Sequence, residues 1–127
     1  MTMTMKRQVI VIDPGAGAWL INCDPETRTL TLGELQKLVG GPIETVPTML
    51  SDGWAREDGA RIVMIVNEEG RLLDLPHNED ASLMAAFGVG PIVGPAVIMA
   101  GRGDELIGLL PGAAQRIMCE WLTGDEG

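Results

Sequence analysis

Seven residues in the middle of the chain, 60–66 (ARIVMIV), restrict the fold more than any other segment. Their near-continuous apolar character leaves no side to present to water, so they read as a strand covered on both faces and flanked by neighbours. Residues 67–70 (NEEG) follow as a turn. Asn67 can open it with its side-chain amide, and Gly70 suits the left-handed conformation that closes a bulged hairpin loop. Residues 71–75 (RLLDL) then read as the return strand of a central hairpin. Pro76 makes a corner, and Asn78 stands where a helix N-cap belongs. Glu79 and Asp80 in the first turn suit the positive end of the helix dipole, which predicts a helix over 79–87 stopped by Gly88.

The remaining segments arrange themselves around that stretch. Residues 8–13 (QVIVID) form a β-branched strand ended by the Pro14-Gly15 turn, and 18–22 (AWLIN) return as the second arm of a hairpin. The GAG segment at 15–17 lacks the spacing of a dinucleotide fingerprint and the Gly-Lys-Ser/Thr end of a phosphate loop. Residues 29–39 (TLTLGELQKLV) predict a helix capped by Thr31 with Glu34 as its capping-box partner, stopped by Gly40-Gly41-Pro42. A brief strand (IETV, 43–46) comes next. The loop 47–59 carries Trp54 as its one aromatic group, read as folding back over the core, with an exposed contact residue as the alternative. Residues 91–99 (PIVGPAVIM) predict an apolar strand, placed at an edge or bulge by Gly94-Pro95. Residues 106–110 lead into a last helix near 112–122, with Ala114, Ile117, Met118, Trp121 and Leu122 as its apolar stripe.

This is the pattern of a single compact α+β domain: a small mixed or antiparallel sheet with a central hairpin and two to three short helices. Its expected limits are a flexible leader at 1–7, a core at 8–103, and a helical extension with an acidic tail at 104–127. Eighteen acidic against nine basic residues give a net charge of −9, which argues against direct nucleic-acid binding and favours a basic partner. With three Trp, one Phe and no Tyr, a stacking platform for bases is excluded as well. Cys23 and Cys119 have no metal-type spacing and read as free thiols of a reducing cytoplasm. No run approaches the length of a membrane span.

Three separated motifs, ELQKLVGGPIETV, VNEEGRLLDLPHN and GPIVGPAVIMAG, occur in order. Together they resemble the domain-of-unknown-function 3846 family, small bacterial and phage or plasmid-borne proteins. The resemblance implies a compact α+β domain in a mobile-element setting and no particular reaction. Carried onto this chain, its motif positions are Leu35, Gln36, Gly40, Gly41, Glu44, Asn67, Glu68, Glu69, Gly70, Leu75, Pro76 and Asn78.

Turn and cap chemistry accounts for most of these residues. Gln36, Glu44, Asn67, Glu69 and Asn78 are the ligand-binding candidates, because a polar set at one end of the sheet could converge on a ligand. His77, the single histidine, stands among Asp74, Glu79 and Asp80, too few fixed ligands for a metal site. Ser51, Ser82 and the cysteines lack a nucleophile motif, so no catalytic residue, cofactor or metal is expected. The expected function is that of a non-catalytic accessory protein acting by binding another macromolecule. The alternatives are a domain binding a small nucleotide-type ligand, with Arg28, Arg61, Arg71 and Arg102 as a local basic spot, and an acidic mimic of DNA. A homo-oligomer is compatible with each.

Overall fold

The computed structural model describes residues 6–50 and 60–122. Trp54 and Ser51, in the expected loop, lie outside the described residues. Among the described residues, six strands and three helices follow in order: β1 (Gln8–Asp13), β2 (Gly17–Asn22), α1 (Leu32–Val39), β3 (Ile43–Pro47), β4 (Arg61–Asn67), α2 (Glu79–Met84), β5 (Ala96–Arg102), β6 (Glu105–Ile107) and α3 (Pro111–Ile117), with a π-helical turn over Met118–Leu122. All pairings are antiparallel, in the order β2-β1-β5-β4-β3, and β6 also pairs with β5. The architecture is α+β, as the residue patterns predict.

Helices cover both faces of the sheet, which explains why its inner strands are apolar throughout. Val9, Val11, Ile65, Val97 and Met99 face Leu35 and Val39 of α1. Ile10, Ile12, Met64, Ile98 and Ala100 face the other way, against Ala81 and Met84 of α2 and Ala114 and Ile117 of α3. Alternate side chains of each strand thus enter opposite halves of the core, as the two-residue period requires. Ile107, Leu109 and Ile117, from the C-terminal part of the chain, belong to the same core as β1 and β5. Leu109 exchanges backbone hydrogen bonds with Gln8, at 2.7 and 3.0 Å.

Local chemistry forms several elements as expected. Asp13 Oδ2 accepts from the N–H groups of Gly15 and Ala16, fixing the β1–β2 turn. In the capping box of α1, Glu34 N–H donates to Thr31 Oγ1 and Thr31 N–H donates to Glu34 Oε1. Gly40 ends that helix at φ 88°, the left-handed conformation that glycine adopts without strain.

Elsewhere the tertiary structure overrides local pattern. The central hairpin does not form: residues 71–74 are turns and Leu75 is outside any strand. The reason is that β3 and β5 occupy both edges of β4, so a return strand has nothing to pair with. The segment instead curls through bonds from Leu73 N–H to Glu69 O and Leu75 N–H to Gly70 O, with Asp74 at φ 55°. Gly70 is not left-handed; a Cβ there would stand 2.9 Å from Val93 Cγ2, so close packing selects the glycine. β5 is the middle strand, not an edge, because Pro95 precedes the first paired residue, Ala96. α2 stops at Met84, short of residue 87, because residues 84–86 pair with the end of β3. Ala85 bridges Thr48, and Ala86 N–H donates to Pro47 O. Residues 105–107 form β6, which takes up the start of the 106–110 lead-in expected before the last helix.

Candidate functional site

Two buried polar side chains, Asn67 and Asn78, mark the ends of the segment that joins β4 to α2. Asn67 Nδ2 donates to Val39 O at the end of α1, and its Oδ1 accepts from Glu69 N–H at 2.7 Å. Gly41 lies against this amide; a Cβ there would be 3.0 Å from Nδ2. Asn78 caps α2 by accepting from Ala81 N–H, and its Nδ2 donates to both Ile12 O and Gly94 O at 2.9 Å. Each amide is spent on backbone partners, which burial demands of a polar group. Their positions in the motifs follow from this: Asn67 ties its own turn to the end of α1, and Asn78 ties α2 to β1 and to the segment before β5.

Beside Asn67 opens a shallow cleft of about 210 Å³. Val46, Val66, Ile92 and Val93 supply its apolar lining, with Glu44, Glu68 and Arg71 as its charged groups. Glu44 points from β3 because alternate residues of that strand, Glu44 and Val46, share a face. Arg71 spans the opening, donating from Nη2 to Pro91 O at 3.0 Å. Of the five candidate ligand-binding residues, the structure brings Glu44 and Asn67 into this lining; Gln36, Glu69 and Asn78 are not part of it. Of Arg28, Arg61, Arg71 and Arg102, the expected basic spot, Arg71 alone lines the cleft.

The sequence reading missed the apolar rim. Leu72, expected inside a strand, lines one wall and is 87% exposed. Val89 lines the cleft from the segment after α2, and Phe87, two residues before it, is 100% exposed. Leu73 and Leu83 are exposed as well. Isolated exposed apolar residues are ordinary; of these four, Leu72 is the one in the cleft lining. The adjacent Leu72 and Leu73 were the available signal, since a half-buried strand should alternate.

Elsewhere, Ser82 is occupied and Cys23 is shielded, while Cys119 is exposed. His77 Nε2 lies 3.3 Å from Ser82 Oγ, a spacing seen in nucleophile–base pairs. Ser82, however, donates to Asn78 O at 2.7 Å and accepts from Ile92 N–H at 2.8 Å, so its hydroxyl serves as a staple. Burial pushes the Cys23 thiol up to about 11, against a smaller opposing pull from Arg7, and so keeps it protonated. Among the described residues, no cluster of His, Cys, Asp or Glu could hold a metal ion, and no helix is long and apolar enough to cross a membrane.

Comparison with known families is decisive for kinship. Residues 5–122 match the family described as Domain of unknown function (DUF3846). The chain belongs to that family. No curated protein and no solved structure matches it. The DUF3846 match takes in both asparagine staples, the cleft and α3, so all of these lie within the family's domain.

Proposed function

We propose that this DUF3846 protein is a non-catalytic binding module that engages a basic segment of a partner protein through the cleft and its apolar rim. The exposure of Leu72 in the cleft lining, with exposed Phe87 two residues from the lining residue Val89, carries this reading. Large side chains anchored near a cleft and surrounded by polar groups are the usual anatomy of an interface. Charge supports the choice of partner. Glu44 and Glu68 line the cleft, Glu69 adjoins it, and the chain carries a net charge of −9. An acidic surface accelerates and selects encounters with cationic partners. An accessory role in a phage or other mobile element belongs to the same proposal and rests on the family resemblance alone.

Affinity capture from the producing cell with the wild type and a Leu72→Ser/Phe87→Ser variant tests the proposal. The wild type retains a stoichiometric protein that high salt releases, and the variant loses it while keeping its folded circular dichroism spectrum. Equal retention by both forms, or no stoichiometric partner, overturns the reading. Native mass spectrometry of the purified protein adds a second arm: a small-molecule mass increment in place of a protein partner transfers the cleft to ligand binding.

A further inference from the structure

The two outer edges of the sheet differ. On β3, Pro47 has no N–H to offer a neighbouring strand, and its carbonyl already accepts from Ala86 N–H. Residues 84–86 cover that end of the edge, so β3 is protected in the way soluble proteins protect sheet edges. β2 has no such device. Its six residues, GAWLIN, contain neither proline nor a charged side chain.

The pairing pattern shows which backbone groups of β2 stand open. Gln8 directs its N–H and C=O toward Leu109, away from β2, and Cys23 N–H donates to Arg7 O. The odd residues of β1 therefore bond to β2, and their partners are Ile21, Trp19 and Gly17. It follows that Ala18, Leu20 and Asn22 aim their backbone donors and acceptors outward, and none has a backbone partner among the described residues. Both faces of the strand are apolar as well. Leu20 and Ala18 pack at the margin of one core half and Ile21 at the margin of the other, while Trp19 is 39% exposed.

We propose that β2 pairs with β2 of a second copy of this chain, in antiparallel register about Leu20, making one continuous sheet across a two-fold axis. In that register Leu20 exchanges two hydrogen bonds with its symmetry mate, and Ala18 pairs with the partner's Asn22. Trp19 falls opposite the partner's Ile21 in a non-hydrogen-bonded pair, where side chains approach most closely. The edge is complementary to itself, since its outward residues Ala18, Leu20 and Asn22 lie evenly about Leu20, and charge permits the meeting. Two chains of net charge −9 repel over most of their surface, and β2 offers an edge free of charged side chains. The register also sets Asp24 opposite Ala16, so no like charges meet directly. The paired edge lies across the sheet from the cleft beside β3, so dimerisation leaves the cleft of each copy open.

Sedimentation of the full chain from low micromolar to near-millimolar concentration tests this. The wild type moves from monomer to dimer mass and no further. Leu20→Lys and Leu20→Glu each stay monomeric, because residue 20 faces its own copy; an equimolar mixture of the two regains the dimer. Thr45→Pro, on the opposite edge, dimerises like the wild type. A monomeric wild type, dimers of either single variant as tight as the wild type's, or loss of the dimer on Thr45→Pro overturns the proposal. Should a Leu20 variant lose its folded spectrum, Asn22→Pro replaces it, removing one outward N–H at an exposed position. Undiminished dimerisation of that variant is equally fatal.

Discussion

Replacing Asn78 by alanine is the sharpest test of how this fold is held. The side chain is 1% exposed and makes three backbone hydrogen bonds: from Ala81 N–H to its Oδ1, and from its Nδ2 to Ile12 O and Gly94 O. Loss of the N-cap bond costs about 1 kcal/mol. Each buried carbonyl that loses its donor costs about 1 kcal/mol more, the low end of the range, since carbonyls tolerate one vacant lone pair better than N–H groups tolerate none. The expected total is about 3 kcal/mol, a large share of the roughly 5–15 kcal/mol that holds a domain folded. In a chain of 127 residues this lowers the melting temperature by about 10 °C. Urea unfolding followed by circular dichroism measures it, with an unchanged slope showing that the unfolded state is not the cause. A loss below about 1 kcal/mol would refute the argument, because cap loss alone accounts for that much. Asn78→Asp separates the two roles: it keeps the cap acceptor but sets a carboxylate against two carbonyls. Burial and those carbonyls raise the carboxyl's folded pKa above its unfolded value. The variant is therefore relatively more stable at acidic pH, and loses that stability as pH rises through the folded pKa.

Two further outcomes follow from packing and ionisation. Gly70→Ala places a methyl 2.9 Å from Val93 Cγ2 and destabilises by about 1–3 kcal/mol, the range for overpacking; Val93→Ala in the same chain recovers part of the loss in a double-mutant cycle by urea unfolding. Cys119, exposed, reacts with a thiol reagent at neutral pH far faster than buried Cys23. Because burial raises the Cys23 pKa from 9.0 to about 11, the thiol contributes stability that is fully present below pH 9 and is lost as pH rises toward 11. A Cys23→Ala variant removes that component of alkaline destabilisation in pH-dependent urea titrations, and an unchanged alkaline profile would count against it.

What the sequence disclosed and what it concealed divide along the reach of the interactions involved. Thr31, Glu34 and Gly40 act on backbone groups within a few residues, so the limits of α1 were readable from spacing. Asn78 was readable as a cap for the same reason, but not as the donor to Ile12 O, because that bond needs β1 in place. Residues 71–75 have the composition of a strand and lose that fate to competition: β5, from much later in the chain, takes the edge of β4. The short α2 shows the same competition, since Ala85 and Ala86 serve β3 better than they extend a helix. The cleft was invisible for a related reason. Leu72 and Val89 meet only after the chain has turned through α2, and no local period encodes that meeting.

The central position of β5 has a consequence for how the chain acquires its shape during synthesis. β1 with β2, and β3 with β4, can each pair once residue 67 has been made, yet the two pairs share no edge. Residues 96–102 must be inserted between them before either half of the core is sealed. Until that insertion the nascent chain presents two separate ribbons with open edges, the state in which aggregation competes with folding. Completion of the sheet is therefore a late and long-range event, and a chaperone that shields strand edges has most to protect in the interval before β5 emerges.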